Sequence, residues 1–388
     1  MSLRDRVREA AALLTDARPL LDDRHASTSP WADYLLALDD DALDAIEGTG
    51  LRAPWPQPMP ADLRVLLDRI AAVVDVPALL ADDVITVGAR RHERPHKQAQ
   101  IDAFVRVLQP LRRQTVRFVD VGSGHGHLTR ALAAGLSRPG IGLEHNPVLV
   151  DKAAALAADS DVEFVVNDVF ADGLAVHDGD CLVGLHACGE LGDIVMRAAA
   201  DSSGDVAVAF VGCCLQKQRA VVRVPLCADG LAMPKALLGL SNLSTRDDGV
   251  EASRVDNVAA RGRRLAVKLL LEGAGVDVAD NTELRGVNRR ASLQPLPVLA
   301  AQVFAARGLA APAASDVVSV ERDAAVTYRR HRRLGVPRVL LARVLEVFVL
   351  LDRARFLEER GFHVQAGTLF PSSVSPRNLA IVAARGRM

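Results

Sequence analysis

Apolar residues change their spacing three times along this 388-residue chain, and the changes mark its organisation. Over residues 1–90 they recur at helical intervals: Leu3, Val7, Ala10, Ala11 and Leu14 share one face, and Trp31, Leu35, Leu36 and Leu38 continue the pattern after Ser29-Pro30. The stretch APWPQPMPA, Ala53 to Ala61, predicts a stiff connector. From Gln98 a helix through Ala103, Phe104 and Val107 leads into the strong strand signal Val116 to Val121. Short apolar runs and helical stretches then alternate: GIGLEHN, PVLVDKAAALAAD, VEFVVND, DCLVGLHACG, ELGDIVMRAAA, DVAVAFVGCC. Such alternation predicts crossover units and an α/β fold with a doubly wound, mostly parallel sheet covered on both faces. After Cys214 it stops. Residues 215–337 read as Arg-, Ala- and Leu-rich helices and loops, after which a long helix from Val339 to Arg360 and two strands, HVQAGTLF and NLAIVAAR, close the chain. The expected organisation is an N-terminal helical segment (1–90), the first part of a sheet domain (91–214), a helical insertion (215–337) and the final helix and strands of the sheet domain (338–388).

At 49% hydrophobic the chain can bury one large core or two modest ones. MSLRDRVREA has no apolar signal-peptide core, and the most apolar helical run, VLLARVLEVFVLLD, is broken by Arg343 and Glu346. A soluble, cytoplasmic protein with no membrane partner is expected. Five cysteines are odd in number and too few to staple a chain of this size, so no disulfide framework is expected. The net charge of -1 hides an asymmetry: about 20 basic and 30 acidic side chains in residues 1–200, against about 27 and 18 thereafter. A basic second half can mark an anionic partner or simply the solvated faces of Arg-rich helices. Aromatic residues at 4% argue against a broad base-stacking platform.

Candidate chemistry starts at FVDVGSGHGHLTRALAAGL, Phe118 to Leu136, where a strand runs into Gly122, Gly124 and Gly126 and then a helix. A bare turn there lets a ligand approach the backbone and a helix N-terminus. The dinucleotide pattern G-x-G-x-x-G requires glycine at 127, where His127 stands, and there is no G-K-[ST] for a P-loop. What remains is D-x-G-x-G-x-G from Asp120, then Glu144 at the end of the second strand, suited to two ribose hydroxyls, and Asp168 at the end of the third, suited to an adenine amino group. The bland alternative is that the glycines permit close packing and the carboxylates cap helices.

DVGSGHGHLTRALA, GLEHNPVLVDKA and VVND resemble the cofactor motifs of class I S-adenosylmethionine methyltransferases, which have a Rossmann-like sheet. GLHACGELGD, VGCC, LLDRARFLEERGF and SPRNLAIVA more narrowly resemble the methyltransferase-like protein 25 family, over about residues 95 to 388. That resemblance implies S-adenosyl-L-methionine as cofactor, held by Asp120, Gly122, Gly124, Gly126, Glu144 and Asp168. Relatives of this family often carry Lys where His125 stands here, and LQKQ after the cysteines also departs. Some members bear a ribosomal RNA adenine dimethylase label, but the Asn-Pro-Pro-Tyr type motif is absent after strand four, where His186-Ala187-Cys188-Gly189 stands instead.

His186 and Cys188 at the end of strand four, and Cys213 and Cys214 at the end of strand five, are expected to converge beside the transferable methyl. Methyl transfer is an in-line displacement that needs positioning and, for some acceptors, removal of a proton. His186 and Cys188 are the candidate catalytic pair, with His186 as base, and Cys213 and Cys214 would line the acceptor site. Packing and a zinc site remain alternatives, with no metal expected because adjacent cysteines rarely share one tetrahedral ion. The acceptor expectation rests on TYRRHRRLGVPR, where Arg329, Arg330, Arg332 and Arg333 surround Tyr328 and His331, and on RGRR at 261–264. These predict an RNA substrate contacted through phosphates. Pairing with acidic residues of the first half, a protein substrate, and a catalytically idle cofactor-binding module are the competing readings.

Overall fold

The computed structural model describes residues 2–22, 29–80, 95–157, 161–243, 253–279 and 282–385. The chain forms two compact units, one from residues 1–18, 67–245 and 341–388, the other from 19–66 and 246–340.

The first unit is built on seven strands: β1 (Arg117–Val121), β2 (Gly140–Glu144), β3 (Val162–Val166), β4 (Asp180–Cys188), β5 (Ala207–Cys213), β6 (His363–Thr368) and β7 (Leu379–Ala384). Their order is β3-β2-β1-β4-β5-β7-β6, parallel throughout except that β7 runs antiparallel to both neighbours. Order reverses between β1 and β4, so the carboxyl ends of those strands open a crevice where such sheets bind ligands. β1 from Phe118 on, β5 around its middle and the whole of β7 are buried, as strands covered on both faces must be. On one face, Ile101, Phe104 and Leu108 of the helix Pro95–Leu108 and Leu128, Leu132 and Leu136 of the helix His127–Leu136 pack with Phe118, Val183, Ala209 and Val382. The segment after the helix Ala61–Val74 caps the β6 edge: Leu79 N–H donates to Thr368 O at 2.8 Å and Thr368 N–H to Pro77 O at 2.9 Å. An edge paired in this way offers fewer free backbone groups to another chain.

The second unit is helical. Ala266, Val267, Leu270 and Leu271 of the helix Arg254–Gly273 pack with Leu299 and Val303 of the helix Leu296–Ala305 and with Val317 and Ala324 of the helix Ala314–Leu334. Helices Ala32–Leu36 and Asp40–Thr49 belong to this unit, and the proline-rich stretch 53–60 carries neither helix nor strand. Among the described residues no helix is long and apolar enough to cross a membrane.

Candidate cofactor and acceptor site

The loop between β1 and the helix His127–Leu136 carries Gly122, Gly124 and Gly126 at φ of 76°, 56° and 70°, a region that L side chains avoid. The three glycines serve different ends. A Cβ on Gly126 would lie 2.2 Å from Phe164 Cζ of β3, so that glycine is demanded by packing. A Cβ on Gly124 would meet nothing within 4 Å, because Gly124 faces a pocket of about 230 Å³. Lys97, Asp120, Gly122, Ser123, His125 and Leu185 also line it.

The loop's donors are largely spent inside the protein. Gly122 and Ser123 N–H both donate to Leu143 O, Gly126 N–H donates to Ser123 O, and Gly124 N–H donates to a Glu144 carboxylate oxygen at 3.1 Å. A phosphate cradle needs such N–H groups aimed at the ligand. This loop instead presents a bare surface with carboxylates behind it, which suits a cationic, sugar-bearing ligand better than a phosphate.

Glu144 is buried, and its other oxygen accepts from Asn146 N–H at 3.0 Å and lies 2.8 Å from His145 Nδ1. A carboxylate has about four lone-pair sites, so acceptor capacity remains. Asp120 is fully buried, accepts from Thr129 Oγ1 at 2.7 Å, and is pushed up to about 6 by desolvation. Asp168 is exposed and caps the short helix Val169–Asp172 through Phe170 N–H. Beside these, Ser123 Oγ and Asn167 Oδ1 are buried without a hydrogen-bond partner. Such groups are rare in a finished interior and are the kind of atom a bound cofactor satisfies. Residues at the ends of β1, β2 and β3 therefore fit S-adenosylmethionine.

At the end of β4 the pairing with β5 slips: Leu185 faces Val211 but Ala187 faces Gly212, which leaves His186 as a bulge residue at φ 65°. Bulges re-aim side chains, and a non-glycine residue in this region is strained. The His186 ring reaches Gln100, with Nε2 2.7 Å from Oε1. Burial, with Lys97 and Arg377 adding to it, holds the imidazole down at about 4, so it is neutral near neutral pH. Its carbonyl accepts from Cys213 Sγ at 3.1 Å and more weakly from Cys188 Sγ at 3.5 Å. Cys188 and Cys213 are register partners with sulfurs 3.2 Å apart, and the sulfurs of Cys188, Cys213 and Cys214 all lie within 4.8 Å of one another. The four residues singled out from sequence are thus neighbours, but the three thiols form one cluster and the imidazole points elsewhere.

A buried ion network fixes the loop that follows β4. Arg223 forks onto Asp193 and reaches Asp352, while Arg353 joins Asp193 to the carbonyl of Gly189. All four charged side chains are at most 9% exposed, so each relies on the others. Lys97 and Gln100 escaped the sequence reading. Their signal was there: at i and i+3 with Ile101 and Phe104 they place polar groups on the core-facing stripe of the helix Pro95–Leu108.

In the helical unit, Arg329 and Arg330 are exposed. Arg332 forks onto Glu47 and Asp44, and Arg333 bonds Asp40 and the carbonyl of Leu38. Tyr328 is half-buried, and Gly262 packs against it.

Residues 96–221 match a family model described as a methyltransferase domain. Among solved structures, the chain is similar to a TehB-like SAM-dependent methyltransferase from Corynebacterium glutamicum (20% identity, 28% of this chain and 61% of that one, TM-score 0.23). It is also similar to magnesium protoporphyrin IX methyltransferase from Synechocystis (14% identity, 31% and 63%, TM-score 0.23). A third is the plantazolicin methyltransferase BpumL (10% identity, 97% and 100%, TM-score 0.32). The chain spans about three-fifths of the length of the first two. By that match residues 96–221 are a methyltransferase domain, and they carry β1 to β5 of the doubly wound sheet and every residue that lines the pocket beside Gly124.

Proposed function

We propose that the protein transfers a methyl group from S-adenosylmethionine to an RNA acceptor, and that it is a relative of the methyltransferase-like protein 25 family. The observation that carries the methyl-transfer reading is the pocket beside Gly124, lined by Asp120, with Glu144 bonded to its loop through Gly124 N–H, the other loop donors used internally and Ser123 and Asn167 left unsatisfied. Bound there, S-adenosylmethionine supplies an electrophilic methyl on a sulfonium. Glu144 holds the ribose hydroxyls, Asp168 or the neighbouring Asn167 the adenine edge, and Lys97 the carboxylate of the methionine moiety. His186, neutral and oriented by Gln100, is the group proposed to take a proton from the acceptor, with Cys188, Cys213 and Cys214 lining its entry.

The RNA reading is supported by the basic second half of the sequence and by exposed Arg329 and Arg330. Incubating the purified chain with methyl-labelled cofactor and separate RNA, protein and small-molecule fractions tests both halves. Label in RNA with release of S-adenosylhomocysteine is expected. Label only in protein or small molecules would move the acceptor, and no release from any fraction would leave a cofactor-binding module.

A further inference from the structure

We propose that Cys188, Cys213 and Cys214 form a three-thiolate site for a thiophilic divalent cation of the zinc type, with its fourth coordination position open. Adjacent cysteines on a regular strand point to opposite faces, which is why Cys213 and Cys214 would not be expected to share an ion. The backbone removes that obstacle here. Cys214 leaves β5 at φ 45°, breaking the alternation and bringing its sulfur back beside that of Cys213. Cys188, the register partner of Cys213, already faces the same side of the sheet. The turn is held in place: Lys217 N–H donates to Cys214 O, Glu190 N–H to Lys217 O and Gly189 N–H to Cys213 O.

Sulfurs about 2.3 Å from a tetrahedral zinc lie about 3.8 Å from one another. The spacings here, 3.2 Å for one pair and up to 4.8 Å for the set, bracket that value, so small side-chain rotations close the site. Charge is also matched. Three thiolates and a divalent ion carry a net single negative charge, and Lys217 and Arg377 stand close enough to act on the Cys214 thiol. Cys213 is buried while Cys188 and Cys214 are half-exposed, which leaves a way in for the ion and an open side for a fourth ligand. Binding forms three sulfur–metal bonds and releases to solvent the protons of those thiols that are not already ionised. The His186 ring, turned to Gln100, takes no part.

Metal content of the full chain tests this independently of any methyl transfer. Chelator-stripped protein is given zinc and passed over a sizing column, and bound metal is counted. One zinc per chain is expected, retained in Cys181→Ala and Cys227→Ala, whose thiols lie outside the cluster. In Cys214→Ser, whose half-exposed side chain can be replaced without opening the core, affinity should fall by at least about tenfold. Cobalt substitution adds a spectroscopic readout, since thiolate-to-cobalt charge-transfer absorption should weaken in Cys188→Ser and again in Cys214→Ser. Sub-stoichiometric zinc in the wild type, unchanged affinity in a folded Cys214→Ser chain, or a Cys188–Cys213 disulfide that zinc does not suppress would overturn the proposal.

Discussion

Two glycines two positions apart in the pocket loop, Gly124 and Gly126, separate packing from binding. Gly124→Ala places a methyl in open pocket space at a cost of about 1–2 kcal/mol for the left-handed backbone, so stability should fall modestly. Gly126→Ala adds to that cost a methyl 2.2 Å from Phe164, so overpacking by roughly 1–3 kcal/mol should appear mainly as lost stability. Denaturant melts of the two variants check the contrast, and equal losses would contradict it. Asp120 adds a signature in pH. Burial raises its folded-state pKa from 3.8 to about 6, so between those values the native chain keeps a proton that the unfolded chain has lost. Its contribution is therefore fully present below the unfolded value and is lost as pH rises through about 6, by roughly 3 kcal/mol. The stability of the wild type relative to Asp120→Asn should fall by that order between about pH 4 and pH 7, and parallel curves would contradict the assignment. The sequence located Asp120, Gly124 and Glu144 because a strand, a bare turn and a second strand end leave a readable spacing. It did not reveal that Glu144 grips the loop through Gly124 N–H, a contact between two strand ends that no local pattern encodes.

Element boundaries were largely legible: the long helix read as Val339 to Arg360 runs Val336–Glu358, and HVQAGTLF and NLAIVAAR became β6 and β7. What escaped was irregularity. The slip at Leu185/Ala187 that turns out His186 leaves the apolar run of β4 unbroken in sequence, and the left-handed turn at Cys214 has no glycine to announce it. Both depend on how β4 and β5 are held at their ends, and the Asp193, Arg223, Asp352 and Arg353 network does part of that holding. Asp193 falls inside GELGD and Asp352 and Arg353 inside LLDRARF, so those motifs contribute architecture to the end of β4. Arg353→Ala leaves Arg223 alone against two buried carboxylates, Asp193 and Asp352, and frees the Gly189 carbonyl, and should cost about 3–5 kcal/mol. Arg353→Lys should recover little, because an ammonium cannot reproduce the planar fork. A shift in the urea midpoint worth less than about 1 kcal/mol for Arg353→Ala would mean the network is neutral to stability.

On the scale of the whole molecule, the sequence showed an acidic first half and a basic second half without showing how the charges are used. Part of the answer is internal pairing within the helical unit, where Arg332 and Arg333 meet Glu47, Asp44 and Asp40 across nearly three hundred residues of chain. Arg329 and Arg330 are exposed, so phosphate contact from this cluster is expected mainly from two arginines. Replacing both by alanine should reduce the slope of log affinity for structured RNA against log salt by about 1.5 to 2. Arg332→Ala should leave the slope nearly unchanged and lower stability instead. Filter retention across a salt series distinguishes them, and equal slope changes would mean that Arg332 leaves its carboxylates to meet RNA. The central claim, that S-adenosylmethionine occupies the pocket beside Gly124 with Glu144 on its ribose, is tested most directly by calorimetric titration of the full chain with S-adenosylhomocysteine. The account predicts one site per chain, weakened at least about tenfold in Gly124→Ala and by about 1.5–3 kcal/mol in Glu144→Gln, with both variants folded. Absence of binding by the wild type, or wild-type affinity in both folded variants, would contradict it.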